Sequence, residues 1–533
     1  MPHYDILVVG GGIIGCGIAR DAALRGLRVA LVEREDYGYG TSSRSTRLIH
    51  GGLRYLEMFD FGLVRQDLRE REILLKIAPH RVEPLSFLIP YYHRSLGYRW
   101  RMTIGMVLYD LLSYDKTLPP HRILSRKETL DAEPNLNPNG LQGAALYYDA
   151  QVNLPERLCM DNILDAQANG AETWNHTEVT GLERNAEGRV VGVQVQHRLT
   201  QTEHTLTAKV ILNVTGAWRD RTTAKWSNNS RHRLRLTKGI HFTSPPANKN
   251  ALVLFSPTDK RLMFVIPWLG YAWVGTTDTD FETNLDTVHA TAKEVAYLQD
   301  AARHALPQAD WETVYFTNAG VRALVREDHS GASESAVSRK HGLIVHTHEE
   351  GLEGMVSVLG GKLTAYRDIA QEAVETALSL LPPAKLEPST THILPLPGAE
   401  NFSSLPSLHI RAQELGLAED QIANLFLLYG TRTRHLLTLV EDTPALGERI
   451  APCYPDICAE VVYAVETEQA QTLSDFVLRR TRLAFTPDQG LQALEAITAH
   501  LATLLNWDTH RTQAEREAYL TQVALTQAFR ISP

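Results

Sequence analysis

Short apolar runs broken by glycine occupy most of the chain, and leucines at helical spacing occupy its last part. Residues 5–9 (DILVV) form a short, mainly apolar run, the mark of a buried parallel strand. Gly10-x-Gly12-x-x-Gly15 follows at once. Ile14, Ile18, Ala22 and Ala23 then recur at helical spacing, and Gly26 is a natural stop for that helix. A second β-rich run covers 28–32, and further strands are predicted at 190–195, 210–214, 251–255, 262–266 and 271–275. Residues 81–144 are rich in proline and aromatics, with helical patches. Residues 352–380 read as a strand, the pair Gly360-Gly361 and a long helix. Residues 383–398 are proline-rich and read as a linker. Beyond them leucines at i, i+3, i+4 predict helices in 421–439 and 490–505, and 466–485 also reads helical.

The first β-α-β unit carries chemistry. Gly10 permits a tight turn, Gly12 lets backbone approach a pyrophosphate, and Gly15 allows close helix–strand packing. Glu33 ends the second strand, placed to accept hydrogen bonds from ribose hydroxyls. An acid there disfavours a 2′-phosphate, so NADP is not expected; the motif alone leaves NAD and FAD open. The next stretch, TSSRSTRLIHGGLRYLE (41–57), separates them. It packs Arg44, Arg47 and Arg54 among hydroxyl residues, with His50 and the Gly51-Gly52 pair. A nicotinamide enzyme has no need of a second phosphate-and-glycine segment here, whereas extended FAD does. Thr41, Ser42, Ser43 and Ser45 offer hydroxyls and N–H groups, and Gly51 and Gly52 would let the chain lie flat beside a planar ring.

Composition narrows the picture. The 533 residues allow about three domains. With 44% hydrophobic residues and a net charge of −9, the chain is globular with a large core and is not expected to bind nucleic acid. Four cysteines make no disulfide framework, and no metal site is expected. No signal peptide or membrane span is read, so any membrane contact would be peripheral.

The glycine motif followed by T-S-S-x-x-S-x-x-L-I-H-G-G-L-R-Y-L-E resembles the FAD-dependent glycerol-3-phosphate dehydrogenases, within the D-amino-acid-oxidase-like flavoproteins. NVTGAW (213–218), LTKGIH (236–241), RLMFVIPW (261–268), VGTTDTD (274–280), AGVRAL (319–324) and LGGKLTAYR (359–367) resemble family blocks in the expected order. Departures at Ile14, Ala217, Ile240 and Ala323 spare the charged residues, so only fine substrate preference is not carried over. The resemblance implies an α/β fold. A Rossmann-like FAD domain (1–80, 145–235, 341–385) interleaves with a β-rich substrate domain (81–144, 236–340), and a linker (386–398) leads to a helical C-terminal domain (399–533). It also implies Thr215 and Gly216 at the cofactor.

The implied reaction is oxidation of sn-glycerol 3-phosphate to dihydroxyacetone phosphate, with hydride passing to flavin N5 and electrons to a membrane quinone. A same-fold oxidase that uses oxygen on glycerol 3-phosphate or an amino acid and releases peroxide is the alternative, and a non-catalytic flavoprotein sensor is the other. For the substrate phosphate, Arg54 and Arg322 are the candidates, assisted by Tyr55 and Lys362. For the hydroxyl proton, His50 and His241 both qualify, and the residues do not choose between them. Gly361, Lys362 and Thr364 near a helix start would stabilise charge at the flavin N1/O2 edge. Thr276, Thr277 and Asp278 either shape the pocket or make a strand-end turn. Residues 93–112, with Arg94, Arg99, Arg101 and Trp100 before an apolar run, read either as a core helix with a basic cap or as a peripheral contact with the inner membrane. The expected place is the cytoplasm, attached to the cytoplasmic membrane, and a homodimer is left open. Arg479, Arg480 and Arg482 read as a solvated face or a partner contact.

Overall fold

The computed structural model describes residues 3–92, 96–229, 231–326, 341–383 and 385–531; within them the side chains of residues 3, 54, 57, 96, 98 and 99 are not described. Two sheets carry the first two-thirds of the fold. The first runs, edge to edge, Gly342–Val345, Met355–Leu359, Glu203–Asn213, His3–Val9, Val29–Val32 and Glu172–Trp174. Its central strands are parallel and mainly apolar where they pair, because both faces are covered. The helices Ile13–Leu24, Pro155–Ala168 and Tyr366–Leu378 share one hydrophobic core with it. A hairpin, Thr177–Arg184 with Val190–His197, continues the sheet from Glu203–Asn213.

The second sheet has ten strands and is built mainly from 82–152 and 234–325. The chain first enters it at Leu48–Ile49, which pairs with Leu141–Val152. Residues 41–50 therefore bridge the two sheets. The strand Leu141–Val152 lies wholly in the second sheet, so the expected boundary at 144/145 cuts through an element. The strand Val82–Tyr92 was hidden in the sequence by Pro84 and Pro90. Proline is tolerated there because the second neighbour, Ala251–Phe255, pairs only at Phe87 and Leu88.

The last part is helical: Leu405–Glu414, Glu419–Tyr429, Thr433–Asp442, Cys458–Glu466, Leu494–Leu505 and Thr509–Gln527. Gly430 divides the leucine-rich run at 421–439 into two of these helices. Residues 466–485, expected helical, instead form one short turn at Leu473–Asp475, a wide turn at Phe476–Arg480 and a tight turn at Leu483–Phe485. The cause is electrostatic. Arg479 and Arg480 are buried and reach Asp36 of the first domain at 2.6 and 2.7 Å. They are neither a solvated face nor exposed. No helix among the described residues is long and apolar enough to cross a membrane.

Candidate active site

A cleft of about 580 Å³ runs from the carboxyl ends of the first sheet to the second sheet, a size within the range of small-molecule and cofactor sites. At its near end the glycine motif turns as expected. Gly10 has φ +113°, and a Cβ there would lie 2.6 Å from the Val214 carbonyl oxygen; at Gly15 it would lie 1.9 Å from the Gly10 oxygen. Gly12 faces the cleft, its nearest neighbour being Ser42 Oγ at 3.4 Å. Glu33 lines the same end and accepts from the N–H groups of Gly11 (2.6 Å) and Glu35 (2.8 Å). Burial pushes its carboxyl above the usual range, against those two donors.

Residues 41–47 form the cleft's shoulder. Ser42 Oγ accepts from the N–H of Ile13, the first residue of the helix, at 2.9 Å. Thr41 donates to the Val321 carbonyl at 2.7 Å, tying the segment to the second sheet. Ser45 Oγ accepts from the N–H of Arg47 at 3.1 Å. Arg47 itself, with φ +61°, is fully buried. Its fork meets Glu156 at 2.9 and 3.0 Å, and its guanidinium lies 4.8 Å from the rings of Trp268 and Phe485. It is an anchor, not an anion ligand. Left-handed backbone in a large residue is costly, and this pair of contacts fixes it.

The far end gathers the chemistry. His241 stacks on Trp273, with ring centroids 5.0 Å apart, and its Nε2 lies 3.0 Å from the Thr46 hydroxyl. Nδ1 is buried with no hydrogen-bond partner among the described residues. Burial, then the charges of Arg322 and Arg47, hold this imidazole well below its usual pKa, so it is neutral. Arg322 pairs in register with Thr237 across the sheet. It donates to the Thr276 hydroxyl (2.8 Å), the Thr277 carbonyl (3.1 Å) and Asp278 (3.2 Å), so the VGTTDTD turn is the cradle of this arginine. Gly239 and Gly275 make the room, since a Cβ would lie 2.2 Å from the Arg322 guanidinium and 2.1 Å from the His241 ring, respectively. Lys362 stands 3.8 Å over the Tyr55 ring and 2.6 Å from Asp67. His50 lines the cleft; its backbone N–H donates to Thr364 Oγ1 at 3.1 Å, joining the two segments.

The FAD dependent oxidoreductase family matches residues 5–367, and the C-terminal domain of alpha-glycerophosphate oxidase matches residues 389–512. The chain belongs to the FAD-dependent oxidoreductases. A glycerol-3-phosphate dehydrogenase of Synechocystis is 40% identical, covering 97% of this chain and 95% of the relative. An aerobic glycerol-3-phosphate dehydrogenase of Staphylococcus haemolyticus is 33% identical, covering 98% and 94%. The crystal structure of the glycerol-3-phosphate dehydrogenase from Bacillus halodurans complexed with FAD superposes with a TM-score of 0.80 at 29% identity, covering 98% and 95%.

The cleft of this FAD-dependent oxidoreductase fits its cofactor. The open face of Gly12, the helix start at Ile13 and the Glu33 carboxylate line the end of the cleft where a dinucleotide would be held. Thr41, Ser42, Ser45, Thr215, Gly216, Gly361 and Thr364 line the same cleft, as do His50, His241, Tyr55, Arg322 and Lys362. Ser43, Gly51 and Gly52 do not. Ser43 turns its hydroxyl back to the Gly38 carbonyl at 2.7 Å. Gly51 is a packing glycine, where a Cβ would lie 2.6 Å from Leu68 and Tyr109, and Gly52 sits under the Tyr55 ring. The side chain of Arg54 lies outside the described residues.

Thr46, Asp67, Gly239 and Gly275 were given no role by the sequence pattern. Thr46 and Asp67 look like ordinary polar positions. The glycines of the second sheet carried a usable signal, because a glycine inside a strand pattern marks close approach of another group.

Proposed function

We propose that this FAD-dependent oxidoreductase oxidises sn-glycerol 3-phosphate to dihydroxyacetone phosphate and delivers the electrons to a membrane quinone. The observation that carries the reading is Arg322 beside a neutral His241, with Lys362 lining the same cleft. FAD, when bound, supplies the hydride acceptor at N5. Arg322 presents a planar donor fork suited to phosphate oxygens. His241 is uncharged and so able to take the proton of the substrate hydroxyl, with the Thr46 hydroxyl holding the ring's orientation. Lys362 and the N–H groups around 361–364 place positive charge where negative charge builds as hydride leaves carbon 2.

The helix Leu96–Leu112 supports the quinone. Its inner side buries Met106 and Tyr109, whereas Trp100, Ile104 and Leu111 are 68%, 62% and 64% exposed. Phe59, 77% exposed, lies on the turn before the neighbouring helix, where Arg65 donates to the Leu112 carbonyl. This apolar face suits insertion at a bilayer surface. The helix is thus both core and surface, split by side. Residues 93–95, including Arg94, and the Arg99 side chain lie outside the described residues.

Anaerobic mixing with glycerol 3-phosphate should bleach the flavin absorbance; an unbleached flavin overturns the reading. The match of residues 389–512 to an oxidase domain favours one second reading, oxygen as acceptor. Rapid peroxide formation, unaffected by a quinone, would establish that instead. Replacing Trp100, Ile104 and Leu111 by serine should lower vesicle binding and quinone turnover while dye turnover survives.

A further inference from the structure

We infer that Asp67 is a positioning residue, whose carboxylate holds the Lys362 ammonium over the Tyr55 ring at the substrate end of the cleft. The inference rests on the glycerol 3-phosphate reading above.

Asp67 lies on the helix Phe61–Ile77 and is fully buried beneath the cleft. It meets Lys362 Nζ at 2.6 Å through Oδ2, while Oδ1 has no protein partner among the described residues. Lys362 is thus the one hydrogen-bond donor to this carboxylate among the described residues, and burying a charge without its partner is expensive. The surrounding charges are already matched. Asp149, from the strand Leu141–Val152, takes Arg71 at 2.5 Å and the Tyr109 hydroxyl at 2.7 Å. Glu70 takes Arg367 at 2.7 and 2.8 Å. Asp67 is left to Lys362.

The same helix face grips the whole 360–368 turn. Gln66 donates to Asp368, Asp67 accepts from Lys362, and Glu70 pairs with Arg367. The outer two contacts fix the backbone. The middle one aims a side chain, and that side chain lines the cleft. A lysine on a flexible four-carbon stem needs such a partner to point one way. Burial raises the Asp67 carboxyl to about 6, with Lys362 opposing and Asp149 and Glu70 adding to the rise. The grip therefore loosens as pH falls through about 6, because the protonated acid no longer holds the ammonium.

The test is a cycle of Asp67→Asn, Lys362→Ala and the double variant in FAD-loaded full-length protein, assayed with a soluble dye. Asp67→Asn should lower kcat/KM about 10-fold or more at pH 8 and move the acid limb of its pH profile from near 6 to lower pH. The double variant should be no worse than Lys362→Ala. Dihydroxyacetone phosphate should bind the oxidised Asp67→Asn protein more weakly, by calorimetry, with flavin content unchanged. Asp67→Glu keeps the charge and should retain the acid limb, which decides the matter even where the Asn variant folds poorly. A wild-type profile in Asp67→Asn, additive losses in the double variant, or an acid limb lost in Asp67→Glu overturns the inference. Wild-type protein whose flavin glycerol 3-phosphate does not bleach overturns the functional reading instead.

Discussion

Two clusters of positive charge lie within one protein, and they are treated in opposite ways. At the seam between the first domain and the C-terminal helices, Arg157, Arg432, Arg479 and Arg480 are at most 8% exposed. They face carboxylates that are wholly buried: Glu468, Asp161, Asp475 and Asp36. Burial pushes the Asp36 carboxyl up, yet Arg480 and Arg479 outweigh it and hold the group below its usual range. In the cleft, Arg322 is 22% exposed and divides its donors among a hydroxyl, a carbonyl and Asp278, a carboxylate that is itself 41% exposed. The seam completes its charges with protein. The cleft pairs Arg322 with a hydroxyl, a carbonyl and a half-exposed carboxylate, and keeps the residue at its wall. Exposure to the cleft, not the mere presence of a charge, separates the two regions.

The largest expected effect comes from breaking the seam. Asp36→Ala would remove the carboxylate shared by Arg479 and Arg480 in a buried place, leaving Arg479 to Asp475 and Arg480 to Glu468, at a cost of about 3–5 kcal/mol. The thermal midpoint should fall sharply and proteolysis between the domains should appear. The KM for glycerol 3-phosphate in protein that still folds should stay near wild type. A KM that moves with stability would merge the two regions into one.

Arg322→Ala should do the reverse. Losing charge-assisted contacts to a phosphate weakens binding about 10- to 150-fold, while the thermal midpoint and FAD content barely change. Unchanged affinity would remove Arg322 from the phosphate site.

His241 sharpens the contrast through pH. In the free protein it stays neutral well below pH 6.5, held there by burial, Arg322 and Arg47. A bound phosphate dianion offsets the Arg322 charge, so the imidazole becomes easier to protonate. The acid limb attributable to His241 should therefore lie at higher pH in kcat than in kcat/KM, since the first reports the bound complex and the second the free enzyme. Coincident limbs in the Asp67→Asn background would count against His241 as the proton acceptor. Unfolded, this histidine takes up its proton near 6.5, so its contribution to native stability shrinks as pH falls below that value.

Much of this was legible in the sequence, for identifiable reasons. The strands at 5–9, 251–255 and 271–275 were readable because apolar runs bounded by glycine or turns have few alternatives. The cradle at Gly10, Gly12 and Gly15 was readable because spacing alone fixes its geometry. Arg47 and Arg44 sit in one motif with the same side-chain chemistry and both border the cleft, yet Arg47 is a fully buried anchor and Arg44 is half-buried over the Tyr39 ring. Only the partners distinguish them, and Glu156 lies 109 residues away. Asp67 with Lys362, and Asp36 with Arg480, are separated by 295 and 444 residues. Local pattern carries no trace of such pairs. The turn at 476–480 misled for the same reason, since its amphipathic spacing is helical and only a distant carboxylate pulls it open.

The smallest effect is the sharpest test, because it should have the opposite sign to the first. Asp36 and Asp67 are both buried acids beside a cation, but removing Asp36 takes a shared carboxylate from arginines that cannot reach water. Removing Asp67 leaves Lys362, 15% exposed at the cleft wall. The native fold raises the Asp67 carboxyl from 3.8 to about 6, so between these values the folded protein holds the proton more tightly than the unfolded chain. Stability from this group is full below 3.8 and is lost as pH rises through about 6. At pH 8 the ionised acid costs roughly 3 kcal/mol relative to its neutral form. Asparagine avoids most of that cost, while the weakened Lys362 contact returns part of it, leaving a net gain on the order of 1 kcal/mol. Asp67→Asn should therefore melt at or slightly above the wild-type temperature at pH 8, and this advantage should shrink steadily towards pH 4, where the acid is protonated in the native state and increasingly so in the unfolded chain. A variant that melts well below wild type at both pH values would place Asp67 with Asp36, as part of the scaffold.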